Sequence, residues 1–132
     1  MQTILVVDDE ESIVEVLACV FESEGYRVLK ASDGIAAYEL LHAHRVDLVV
    51  SDYMMPGLNG IELYFRMVED PDLEDVPFIM ISAFSAELVA TPFTAVFGKP
   101  FDMQKLVATV KTALSTKAPV SRTSPLKIAG PV

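Results

Sequence analysis

Short apolar runs alternate along the chain with segments whose apolar residues recur at helical spacing. That is the pattern of buried strands and the helices that cover them. Thr3–Val7 (TILVV) predicts a first strand, closing on Asp8, Asp9, Glu10 and Glu11. From Ser12, the residues Ile13, Val16, Leu17, Val20 and Phe21 share one helical face, and Gly25 stands where a helix C-cap belongs. Arg27–Ala31 predicts a second strand, more polar and therefore nearer an edge. Asp33 suits the N-cap of a second helix with Ala36, Ala37, Leu40 and Leu41 inward. Val46–Val50 predicts a third strand, apolar except for Asp47. Gly60 opens a third helix with Ile61, Tyr64, Phe65 and Val68 inward, ending before the loop DPDLEDVP. Phe78–Ile81 and Ala95–Phe97 predict the fourth and fifth strands. Asp102 caps a last helix whose apolar face is Leu106, Val107, Val110, Ala113 and Leu114, with Phe101 and Leu106 placed as a hydrophobic staple.

Strands alternating with helices predict an α/β fold: a doubly wound, five-stranded parallel sheet with right-handed crossovers. In such sheets ligands meet the protein beyond the carboxyl ends of the strands, at the topological switch point. After Thr116 the character changes, because KAPVSRTSPLKIAGPV holds three prolines and no acid. The expected organisation is one domain over 1–116 and a flexible tail or truncated linker over 117–132.

With 132 residues, 52% of them hydrophobic, the chain can bury a sizeable core. Ten basic residues stand against nineteen acids, a net charge of −9. Phosphate backbones are bound by Lys and Arg, so direct nucleic-acid binding is not expected. The N-terminus MQTILVVDDE has no basic leader, and no apolar stretch has transmembrane length, so neither a secretory signal nor membrane insertion is expected. A single cysteine, Cys19, excludes an internal disulfide and fits a reducing cytoplasm. Its place in VLACVF predicts a small core residue. His42 and His44, two apart, share no helical face and predict no metal pair.

The strand ends carry the chemistry. Asp8, Asp9 and Glu10 end the first strand, Asp52 follows the third, Ser82 the fourth, and Lys99 precedes Pro100 after the fifth. Taken singly each has an ordinary reading: a turn aspartate, acids opening a helix, a surface lysine. Glu10 and Glu11 are read as such helix-start acids rather than ligands. Gathered at one crevice, the aspartates repel one another unless a cation balances them, and oxygen-only ligands suit Mg²⁺. Lys99 adds a positive point charge and Ser82 a donor for an anionic oxygen. These parts suit the transfer of a phosphoryl group to a carboxylate.

Four stretches, ILVVDDE at 4–10, VSDYMMPGLNG at 50–60, MISAF at 80–84 and FGKPF at 97–101, resemble the receiver domain of two-component response regulators over about residues 3–116. The resemblance implies a flavodoxin-like sheet of order 2-1-3-4-5. It implies that Asp52 accepts a phosphoryl group from a phosphohistidine of a sensor histidine kinase or histidine phosphotransfer protein. Asp9 would ligate Mg²⁺ directly, Asp8 through water, and Asp52 and the Met54 backbone carbonyl would complete the protein ligands. Ser82 and Lys99 would bind the phosphoryl group, Pro100 would follow a cis bond, and Met55, Pro56 and Gly60 would shape the loop. The implied role is a cytoplasmic signalling switch acting on a downstream protein, with room for a homodimer. Its only chemistry would be self-phosphorylation and slow self-dephosphorylation.

The sequence departs from that family in places. Ser82 and Lys99 are separated by less chain than usual, and Pro92 interrupts it, so the fourth helix is expected to be shortened or irregular. Val96 holds the place of the family's switch aromatic; Phe97, one step on, is expected on the opposite face, in the core. Met54 and Phe84 flank the expected path of a hydrolytic water and are expected to slow loss of the phosphoryl group. Two alternatives stay open: a receiver-like interaction module that works without phosphorylation, and a haloacid-dehalogenase-type phosphotransferase. The latter carries D-x-D on its first strand, where this chain has adjacent acids.

Overall fold

The computed structural model describes residues 1–83 and 93–116. Five parallel strands, β1 (Thr3–Val7), β2 (Arg27–Ala31), β3 (Leu48–Asp52), β4 (Phe78–Ser82) and β5 (Ala95–Gly98), form one sheet in the order β2-β1-β3-β4-β5. The described helices are α1 (Glu11–Ser23), α2 (Gly34–Ala43), α3 (Gly60–Val68) and α4 (Met103–Thr116). None of them is long and apolar enough to cross a membrane. The strand order and the α/β class match the expectation. The segment expected to hold an irregular helix, residues 84–92 with Phe84 and Pro92, lies outside the described residues, as does the tail 117–132.

Two apolar layers sandwich the sheet. Leu5, Val7, Val49, Phe78 and Met80 face α2 and α3, while Ile4, Val6, Leu48, Val50, Ile79 and Ile81 face α1 and α4. Strand period two makes this division, and both faces are apolar because both are covered. Val96 packs with the first layer and Phe97 with the second, as the alternation requires.

β3 begins and ends two residues later than the apolar run suggested. Asp47 is held outside the strand as a staple: its Oδ2 accepts from the Thr3 amide at 2.8 Å, and its own amide donates to the Thr3 carbonyl at 2.8 Å. Pairing with β4 continues to Asp52, opposite Ile81, so the last residue of the strand is a carboxylate. β4 likewise runs on to Ser82, which pairs with Gly98.

The helix caps follow the sequence. Asp33 Oδ1 accepts from the Ala36 amide at 2.8 Å, and Asp102 Oδ1 accepts from Gln104 at 2.9 Å. Gly25, just past α1, takes φ +96°, a conformation that costs a side-chain-bearing residue. Ahead of α3, Asn59 and Glu62 form a reciprocal capping box, a pairing that N-x-x-E encodes and that the sequence reading passed over.

The buried faces of two helices correct the expectation. α1 buries Val14, Leu17, Ala18 and Phe21, leaving Val16 54% exposed and Cys19 exposed rather than in the core. α3 buries Gly60, Leu63 and Met67, leaving Phe65 53% exposed. Both segments carry apolar residues on more than one side, so periodicity alone allowed two rotations. In α3 the choice falls to Gly60, whose missing side chain lets the helix start against β3.

Candidate functional site

The sheet's alternation places three charged side chains on one side of its carboxyl edge. Asp8 continues the parity of Ile4 and Val6, Asp52 that of Leu48 and Val50, and Lys99 that of Phe97. Asp8 and Asp52 are buried, and Asp9 is exposed. Lys99 Nζ lies 3.1 Å from Asp52 Oδ1, 3.4 Å from Asp8 Oδ2 and 3.6 Å from Glu10 Oε1. Glu10, read from sequence as a helix-start acid only, thus also faces the lysine; its amide donates to Asp8 Oδ1 at 2.8 Å. One carboxylate oxygen from each of Asp8, Asp9 and Asp52 lies within 4.8 Å of the others. An open groove of about 410 Å³ beside them is lined by Asp8, Asp9, Glu11, Glu15 and Lys30.

Burial pushes the Asp52 carboxyl up from its ordinary range, and the hydrogen bond and charge of Lys99 pull it only part of the way back. Burial raises Asp8 as well; the Glu10 amide opposes this, while the charge of Asp52 adds to it. For Lys99, burial works against the charge, but Asp52 and then Asp8 outweigh it, and the ammonium is held more firmly than usual. One ammonium therefore does not neutralise the cluster. Three convergent carboxylates with hard oxygen donors fit a divalent cation of the Mg²⁺ type.

The loop after Asp52 closes against the strand. A Cβ on Gly60 would stand 2.5 Å from the Asp52 carbonyl oxygen and 2.8 Å from Met80 Sδ, so only glycine admits this approach. The Gly60 amide donates to the Tyr53 carbonyl at 2.9 Å. Between them Gly57 turns at φ +71°, Met55 is buried, Pro56 is exposed, and the Met54 side chain is 58% exposed at the rim. Ser82 is buried at the end of β4, and its carbonyl accepts from the Lys99 amide at 3.0 Å. The Lys99–Pro100 bond is cis. The structure therefore brings Asp8, Asp9, Asp52 and Lys99 into one cluster, with Ser82, Met54, Pro56, Gly60 and Pro100 on the elements that frame it. Phe84 lies outside the described residues.

The family model of the response regulator receiver domain matches residues 4–111. The chain belongs to this family. The phosphate regulon transcriptional regulatory protein PhoB of Pseudomonas aeruginosa is 34% identical over 134 residues, covering 98% of this chain and 58% of PhoB. Sporulation initiation phosphotransferase F of Bacillus subtilis is 36% identical over 126 residues, covering 89% of this chain and 97% of that protein. Among solved structures, the response regulator TrrA of Thermotoga maritima, in complex with Mg²⁺–BeF, superposes with a TM-score of 0.78 at 30% identity. That match covers 86% of this chain and all of TrrA. The chain spans little more than half the length of PhoB and nearly the whole of the phosphotransferase. Receivers of this family are phosphorylation-dependent switches of two-component systems that interact with histidine kinases or phosphotransfer proteins and generally bind Mg²⁺ at an acidic pocket.

Proposed function

We propose that this receiver accepts a phosphoryl group on Asp52 from a partner phosphohistidine and signals to a protein partner in the cytoplasm. The observation that carries the reading is the position of Lys99, within ion-pair distance of both buried aspartates at the open edge of the sheet. An Asp52 carboxylate oxygen attacks phosphorus, the P–O bond forms as the P–N bond breaks, and the electron pair leaves with the imidazole. Lys99 holds the attacking carboxylate in place and offsets negative charge, and the buried Ser82 hydroxyl supplies a donor toward the transferred group. Asp8, Asp9, Asp52 and the Met54 carbonyl would hold Mg²⁺, which when bound supplies charge neutralisation for the phosphoryl oxygens. Pro56, Gly60 and Pro100 set the loops around this chemistry.

Met54 offers no group that orients water, so its side chain, with Phe84, slows hydrolysis of the aspartyl phosphate. Met54→Asn is expected to shorten the phosphoprotein lifetime; an equal or longer lifetime would remove that role.

Radiolabelled acetyl phosphate with Mg²⁺ tests the acceptor. Stoichiometric labelling is expected in wild type and none in Asp52→Ala. Full labelling of Asp52→Ala would overturn the assignment, and an unlabelled, folded wild type would leave an interaction module.

A further inference from the structure

Ser51 is fully buried as the last residue but one of β3, between Val50 and Asp52, with Val7 beside it on β1 and Met80 on β4. Packing alone calls for an aliphatic residue there, because a buried hydroxyl without a partner is costly. Its partner is the next residue: Ser51 Oγ donates to the Asp52 backbone carbonyl at 2.8 Å. The other polar end of the same peptide unit is also tied, since the Tyr53 amide donates to the Ile81 carbonyl at 2.9 Å. The carbonyl is crowded further by Gly60, whose Cβ position falls 2.5 Å from it. The peptide that leaves Asp52 is thus fixed at both ends and blocked on one side; with the Asp52 amide held in β3, this fixes ψ at Asp52 and so the Cα frame from which its side chain departs.

We infer that Ser51 is a positioning residue for the acceptor: its hydroxyl locks the Asp52 peptide so that the carboxylate points at the phosphodonor. This rests on the reading of Asp52 as acceptor. Serine at this place keeps the volume small beside Met80 while supplying a side-chain donor to the Asp52 carbonyl. Misaim of a reacting atom by about 1 Å costs up to about a hundredfold in rate, so a partial loss of this lock should be readable.

The test compares Ser51→Thr, Ser51→Val and Ser51→Ala for the initial rate of acetyl phosphate labelling with Mg²⁺, alongside their urea midpoints. In the labelling step the Asp52 oxygen bonds to phosphorus and acetate leaves. Thr and Val have nearly the same shape, so they differ in the hydroxyl rather than in volume. Ser51→Thr is expected within about twofold of wild type, and Ser51→Val and Ser51→Ala about tenfold slower. Ser51→Val and Ser51→Ala labelling as fast as Ser51→Thr would overturn the inference. Should Ser51→Val be too unstable to assay, Ser51→Ala, which adds no volume, decides against wild type. A wild type that labels on another residue, or not at all, overturns the acceptor reading itself, and is distinguished by the Asp52→Ala control.

Discussion

Lys99 Nζ and Asp52 Oδ1 meet at 3.1 Å although β5 and β3 are not neighbours; β4 runs between them. The pair therefore arches over the carboxyl end of β4, where Ser82 terminates that strand. The contact is possible because β3 and β5 both place these residues on the face shared with α1 and α4. It sets the acid and the ammonium together beside the strand that ends in Ser82, an arrangement of the kind that the proposed phosphoryl transfer by positioning and charge neutralisation needs.

The first prediction concerns the charge left over. Asp52 and Asp8 both have carboxyls raised above the ordinary value of 3.8 by burial. The unfolded chain then ionises before the folded one, so stability is greatest where both states are protonated and falls as pH rises through the unfolded value toward the folded one. Asp52→Asn is expected to raise the unfolding free energy from urea titration at about pH 7 without divalent cations by on the order of 1 kcal/mol, with a higher midpoint, and to lose that advantage below about pH 4. A midpoint at neutral pH equal to or below wild type contradicts this.

A divalent cation should act in the opposite direction on the native cluster. At about a hundred times its dissociation constant, Mg²⁺ is expected to stabilise wild type by about 2.7 kcal/mol, because it binds the folded state only. Thermal denaturation with and without Mg²⁺ reads this directly. Asp9→Ala, which removes an exposed member of the carboxylate trio, should abolish the shift.

Gly60 offers a packing test. Adding one methyl in Gly60→Ala drives a Cβ against the Asp52 carbonyl and Met80 Sδ, and backbone cannot yield as a side-chain end can. A loss of about 3 kcal/mol in unfolding free energy is expected, with slower labelling of Asp52. Wild-type stability in the variant would show that α3 shifts freely.

The far end of the domain carries a pH-dependent contact. His42 Nε2 lies 2.9 Å from Asp70 Oδ2, and its Nδ1 stands 3.0 Å from the Tyr38 carbonyl. These contacts, Tyr38 first, raise His42, while the Asp72 amide and His42 lower Asp70. The His42 contribution is complete below its unfolded value of 6.5 and disappears as pH rises through the folded one. The Asp70 contribution is complete above 3.8 and disappears on acidification through its lowered value. Wild type should therefore gain on His42→Gln in mildly acidic solution and lose that gain above neutrality, as paired urea titrations would show.

Much of this was legible in the chain. Five apolar runs gave five strands, Asp33 and Asp102 gave caps, and the acids, Ser82 and Lys99 at the strand ends pointed to the crevice. The helix rotations were not legible, since α1 and α3 have apolar residues on several sides; the sheet surface chose Val14 and Leu63 over Val16 and Phe65. Cys19 fell on the wrong face for the same reason.

The sequence by itself determined the alternation of strands and helices, the polar residues that gather at or just beyond the strand ends and the acidic balance, because these depend on local periodicity and composition. Tertiary structure alone decided that β3 carries Asp52 as its last residue, that Glu10 turns toward Lys99, and that Ser51 is fully buried between β1 and β4. Each of those depends on which strands lie side by side and how far their ladders run. Hydrogen bonds between residues distant along the chain set that, and no local pattern records them.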